Sequence, residues 1–313
     1  MKNKLLLAAF ILCMGCAAVS AKDLKVLSIG NSFSVSVGND LCQLVKSFPE
    51  HNLELTVAYI AGCTLDRHVK NIRSAEENPE TGMYGIFFWS TATEAIAPKK
   101  YKSNLIDLLK KQRYDVVTIQ QGSVKSWDWE SYEPYAGELI AFIRQHQPDA
   151  EIVIQQTWSY RVDAEQYGKK FKFDQTGMYE RLRDAYRNLA EKYKFRVIPV
   201  GDAVQLFRKY TPINYQPSPE PVEYPDLPSN AGDVVGSSYW MKTKQGPDRR
   251  KLKIDPYHLN KDGKYMQACL WFSVLYGEPI DKITWSPVNM PQRVAVLLRR
   301  CAKEALAAYP QVK

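Results

Sequence analysis

The chain has 313 residues, 45% of them hydrophobic, and a formal net charge of +8 at pH 7. That length can bury a sizeable core, and no run beyond the N-terminus supplies the roughly 18 apolar residues of a membrane-spanning helix, so no transmembrane segment is expected. The basic residues are scattered among acids, which argues against a nucleic-acid partner and leaves a solvated basic surface or anionic surroundings such as an acidic polysaccharide.

In chain order, Lys2 and Lys4 precede an apolar run from Leu5 to about Met14, followed by small residues ending Ala18-Val19-Ser20-Ala21. This pattern predicts a secretory signal peptide over 1–21 and an exported, periplasmic or extracellular protein. Gly15-Cys16 is an alternative lipidation point, although Cys13 stands where Leu is usual. The remaining Cys42, Cys63, Cys269 and Cys301 are at most optional disulfide staples, and no Cys-x-x-Cys pair suggests structural zinc.

Leu24 to Ile29 reads as a strand, the Gly30-Asn31-Ser32 stretch as a turn, and Val35 to Phe48 as a helix. Strands follow at Leu53–Tyr59, Asp115–Ile119, Glu151–Ile154 and Arg196–Val200. Helices are expected at Asn104–Lys111, Tyr132–Gln145, Thr176–Tyr193, Lys261–Tyr276 and Pro291–Ala308. Alternation of this kind predicts an α/β fold, a three-layer α/β/α sandwich with about five parallel strands in one domain over 22–313. Two stretches read as long loop insertions, an aromatic one at about 77–100 and a Pro- and Tyr-rich one at about 211–253.

Ligands of an open parallel sheet bind outside the carboxyl ends of its strands. Those exits read Gly30-Asn31-Ser32-Phe33-Ser34, Ala61-Gly62-Cys63-Thr64, Gln120-Gln121-Gly122-Ser123, Gln155-Gln156-Thr157-Trp158-Ser159 and Gly201-Asp202. A serine between strand and helix presents its oxygen beside helix amides that stabilise negative charge, although a helix N-cap would place Ser32 there equally well. A nucleophilic serine requires a base, and four histidines are available. His51 and His146 fall in connections at the opposite end of the sheet, while His68 lies just past the second exit. His258 precedes the helix at Lys261 and follows Asp255 by three residues, a spacing that lets a carboxylate orient the imidazole. Helix capping by Asn260 and Asp262 around a chance pair is the plainer alternative.

With these residues assembled, the chain resembles the SGNH (GDSL-like) hydrolase superfamily, in particular an exported subgroup common in Bacteroides-type bacteria. The resemblance rests on Val26-Leu27-Ser28-Ile29-Gly30-Asn31-Ser32-Phe33-Ser34, Tyr114-Asp115-Val116-Val117-Thr118-Ile119-Gln120-Gln121-Gly122-Ser123, Gln156-Thr157-Trp158 and Asp255-Pro256-Tyr257-His258-Leu259-Asn260. It implies a flavodoxin-like fold with Ser32 as nucleophile, His258 as base and Asp255 as its orienting acid. It also implies an oxyanion hole from the Ser32 backbone and Gly62, with an asparagine as third donor. Val124 occupies that asparagine's place, so a glutamine amide, Gln121 ahead of Gln120, is expected to substitute.

The chemistry so implied is two-step acyl transfer through an acyl-serine, with no cofactor and no metal, and with activity rising from acid to neutral pH as the base loses its proton. Export and the sugar-stacking candidates Trp158 and Trp240 point to O-acyl, foremost O-acetyl, esters on glycans, although core packing explains either Trp as well. The alternatives are lipid or short-chain esters, and a catalytically silent glycan-binding or cell-envelope protein on the same fold.

Overall fold

The computed structural model describes residues 21–219, 221–244 and 249–309; the signal peptide expected over 1–21 lies, but for Ala21, outside them. From the N-terminus run β1 (Lys22–Gly30), α1 (Ser32–Val35), α2 (Gly38–Lys46), β2 (His51–Tyr59) and α3 (Leu65–Glu77). Next come β3 (Tyr84–Ser90), β4 (Lys99–Ser103), α4 (Leu105–Lys111), β5 (Val116–Ile119), α5 (Tyr135–His146) and β6 (Glu151–Gln155). The chain continues through α6 (Gln175–Tyr193), β7 (Arg196–Ile198), α7 (Val200–Tyr210), β8 (Val235–Lys242), β9 (Arg250–Leu259), α8 (Lys261–Tyr276) and α9 (Gln292–Ala307).

Among the described residues the main sheet has seven strands in the order β4-β3-β2-β1-β5-β6-β7, rather than about five. The five expected strands are present and mutually parallel, and β3 and β4 extend them antiparallel at one edge. Central strands are buried on both faces, as the Val26, Leu27 and Ile29 run and the fully buried Val116–Ile119 segment require. One helix group packs α2, α8, α9 and α7 together, and another packs α3, α4 and α5. The α8 sequence is apolar almost all round, and most of its residues are buried.

Both expected loop insertions contain strands. In 77–100 the run Tyr84-Gly85-Ile86-Phe87-Phe88-Trp89 is continuously apolar and hides the two-residue alternation of a strand. Its neighbour β4, Lys-Lys-Tyr-Lys-Ser, is an exposed sheet edge whose lysines discourage pairing with another chain. Within 211–253 and just beyond, β8 and β9 pair as a separate antiparallel ribbon. Helices α3 and α7 have no counterpart among the expected elements. Among the described residues no helix is long and apolar enough to cross a membrane, and Cys42, Cys63, Cys269 and Cys301 stand as separate buried thiols.

Candidate active site

The turn after β1 is built by sterics and by a cap. A Cβ on Gly30 would fall 2.2 Å from Ser34 Oγ, so a larger residue there would displace Ser34 from its hydrogen bond to Gln120. Asn31, rather than Ser32, caps α1: its Oδ1 accepts from Phe33 N at 3.0 Å. Its Nδ2 donates to Cys63 O at 3.1 Å, which latches the second strand-exit loop to the first. Capping by Asn31 leaves the Ser32 hydroxyl available.

That hydroxyl faces His258. Ser32 Oγ lies 2.8 Å from His258 Nε2, and His258 Nδ1 lies 2.7 Å from Asp255 Oδ2. The second Asp255 oxygen accepts from Tyr257 N and His258 N at 2.9 and 3.2 Å. Burial alone would raise the Asp255 carboxyl, but these hydrogen bonds outweigh it and hold the group below the usual carboxylate range. An ionised Asp255 keeps the proton of a neutral imidazole on Nδ1, which leaves Nε2 free to accept from Ser32.

Asp255 and His258 sit at the end of β9, where two anchors fix their position. Trp158 Nε1 donates to Tyr257 O at 2.9 Å, and Arg161 N donates to Pro256 O at 2.9 Å. Asn260 then caps α8 through Asp262 N and Gly263 N, so the capping chemistry read from the sequence coexists with the Asp-His pair.

Beneath the nucleophile lies a buried polar network. Phe33 O accepts from Gln267 Nε2, Gln155 Nε2 and Ser36 Oγ at 2.9, 3.2 and 2.8 Å. Gln120 accepts from Ser34 Oγ and from Gln155 Nε2, and donates to Asn31 Oδ1 at 2.8 Å. Trp271 Nε1 donates to Gln155 Oε1 at 2.7 Å. Unpaired, such groups would each cost about 1–3 kcal/mol; paired in this way they hold the turn in one geometry. Their sequence signal was the run of glutamines at the strand exits.

Several expected site residues stand elsewhere. Gln121 points away from Ser32: its Oε1 accepts from Leu65 N and Gly122 N, and its Nε2 donates to Ser131. Strand alternation turns Gln120 toward the nucleophile instead, where one N–H of its amide is held by Asn31. Gln121 is thus committed to Ser131 and Gln120 holds Asn31, and Val124 is half exposed. Gly62 lies in the latched loop with φ +58°, a left-handed conformation that favours glycine. For Gly62 N and Ser32 N, no backbone or side-chain acceptor is seen among the described residues. His68 is fully buried against Tyr84 and cannot reach solvent or Ser32's cleft.

Neither tryptophan faces the cleft. Trp158 is completely buried, stacked flat on Phe33, and Trp240 donates to Asp226 O beside Tyr224. The cleft next to Ser32 and His258, about 700 Å³, takes its aromatic wall from Tyr59, Phe87 and Trp89 and its cations from Lys100, Lys261 and Lys264. Asp40 also lines it; burial pushes its carboxyl up to about 6, against the pull of Lys264. The aromatic content of 77–100 was the only sequence signal for this wall.

A serine, a histidine and an aspartate thus stand in hydrogen-bonded series at the carboxyl edge of a parallel sheet flanked by helices, the layout of an α/β protein with a candidate active site at its strand exits. The chain belongs to the family described as Domain of unknown function (DUF4886), whose model matches residues 25–216. A crystal structure of a DUF4886 family protein from Bacteroides uniformis is 25% identical, with a TM-score of 0.70 over 91% of this chain and 95% of that one. A candidate SGNH hydrolase from Slackia heliotrinireducens is 16% identical, with a TM-score of 0.48 over 80% and 97%. An acetyl xylan esterase is 13% identical, with a TM-score of 0.43 over 80% and 100%. No curated protein matches the chain.

Proposed function

We propose that this protein is an exported serine esterase that hydrolyses O-acyl, foremost O-acetyl, esters on glycans. The series Asp255–His258–Ser32, at 2.7 and 2.8 Å beside an open cleft, carries this reading. His258 takes the Ser32 proton as Oγ attacks the ester carbonyl, Asp255 stabilises the imidazolium, and the proton passes to the leaving alkoxide. An acyl-serine remains, and water activated by the same base releases it. The Ser32 and Gly62 amides are the candidate donors to the oxyanion.

A silent binding protein is the second reading, favoured by the missing third donor at Val124 and by the engagement of both glutamines. Acetate release from an aryl acetate and from acetylated glycans, with Ser32→Ala alongside, decides between them. Turnover lost in the variant supports the esterase; equal or absent release from both proteins supports the binding protein.

A further inference from the structure

We infer that the cleft serves an acidic polysaccharide, whose chain leaves Ser32 and runs along the open face of the β8–β9 ribbon. The ester on that chain rests on the esterase reading above; the track for the chain rests on the ribbon's own register. Ser237 lies opposite Asp255, and both line the cleft. Side chains alternate across a strand, so the next pairs on that same face are Tyr239 with Lys253 and Met241 with Lys251.

The two faces of the ribbon differ. On the far face, Trp240 Nε1 donates to Asp226 O at 2.7 Å and the Arg250 guanidinium sits 3.8 Å over the Tyr224 ring, so the 224–226 segment covers its outer part and leaves Ile254 50% exposed nearer the cleft. On the cleft-side face Tyr239 is 52% and Met241 39% exposed, Lys251 is exposed and Lys253 is half-buried, and among the described residues no other segment is bonded across them. The open floor of the cleft therefore continues outward as a strip carrying an aromatic ring and two ammonium groups. Successive same-face residues stand about 7 Å apart, so this strip presents charge at intervals and not at a single point.

Charge along the strip is unbalanced. The lysine ion pairs among the described residues belong to Lys125, Lys192, Lys282 and Lys303. None involves Lys100, Lys261 or Lys264 at the cleft, or Lys251 and Lys253 on the ribbon. Two acids line the cleft: Asp255 is committed to His258, and half-buried Asp40 faces Lys264. A small anion would meet the cations at one end only, whereas a chain with repeated negative charge meets them all. The exposed Tyr239 ring adds a stacking surface of the kind sugar rings use.

Ser32→Ala protein would be run through gels containing unesterified polygalacturonate, neutral dextran or single-stranded DNA, at low and raised salt. Retardation by polygalacturonate alone is expected, weakened at least about tenfold as salt shortens the Debye length. Lys251→Ser/Lys253→Ser should weaken it by about tenfold, charge reversal to Glu by more, and Lys251→Arg/Lys253→Arg should restore it. Among active proteins, the kcat/KM ratio for acetylated polygalacturonate over acetylated xylan should favour the acidic chain and fall in the serine pair. No retardation by polygalacturonate, equal retardation by DNA, or indifference to the double variants overturns the inference. Retention of polygalacturonate binding with no acetate release from any substrate would sink the esterase reading while supporting the acidic track.

Discussion

Phe33 lies flat on Trp158, their ring centroids 4.0 Å apart and their planes within 3° of parallel. Phe33 follows the proposed nucleophile, and the Trp158 indole also holds Tyr257 O, one residue before the proposed base. One buried side chain thus sets the separation of the two halves of the site. Trp158→Ala should cost about 3–5 kcal/mol in denaturant unfolding, the scale for emptying a large aromatic site. In the protein that remains folded, kcat should fall while KM moves little, because the loss is in orientation. Trp158→Phe keeps a ring on Phe33 but loses the hydrogen bond and part of the buried volume, and should sit between the two; an unchanged kcat in the alanine variant would deny Trp158 this positioning role.

Asp255 accepts three hydrogen bonds from the 257–258 segment. Replacing it with Asn puts a side-chain NH₂ or carbonyl where the imidazole Nδ1–H now donates, and favours the tautomer with the proton on Nε2, facing Ser32. Asp255→Asn should therefore lower kcat at neutral pH by roughly 10⁴-fold, the loss known for this change in a Ser-His-Asp site, with KM nearly unchanged. Steady-state hydrolysis of an aryl acetate measures it. A loss of only a few-fold would mean that His258 does not depend on the carboxylate.

The parallel sheet was legible because buried β-branched runs such as Val26–Ile29 and Val116–Ile119 alternate with long amphipathic helices. Ser32, Asp255 and His258 were legible because each sits at an abrupt boundary: strand into turn, or strand into a capped helix. What escaped depends on neighbours distant in sequence. The Lys-rich β4 is a strand only because β3 pairs with it, and Trp158 looks like a sugar platform until Phe33 is seen covering it. The third oxyanion donor was sought by family position. Whether a glutamine amide is free depends on acceptors such as Ser131 O and Asn31 Oδ1, to which no local spacing points.

Gln121 separates structural from catalytic use of an amide. Its side chain satisfies two backbone donors, Leu65 N and Gly122 N, and reaches Ser131 with its own NH₂ group. Gln121→Ala leaves those buried groups unpaired, at about 1–3 kcal/mol each. The expected outcome is a clear drop in unfolding free energy with turnover per folded molecule within a few-fold of wild type. A loss of about 3 kcal/mol in transition-state stabilisation with stability intact would instead return Gln121 to the oxyanion hole.

His68 is expected to make the protein's stability sensitive to acid from within. Burial, and secondarily the nearby Arg67 charge, depress its pKa to about 3. The ring stacks on Tyr84, and its Nδ1 lies 2.9 Å from the phenol oxygen, while Nε2 has no partner. Between pH 3 and an ordinary histidine value near 6.5, the unfolded chain binds the proton that the folded chain refuses, so stability falls as pH drops through that window. His68→Phe loses the Tyr84 contact and should be less stable at neutral pH, yet its melting temperature should fall less between pH 7 and pH 4.5 than that of the wild type, by roughly 5 °C. Parallel declines in the two proteins would assign the acid sensitivity to carboxylates that lose their charge-assisted partners instead.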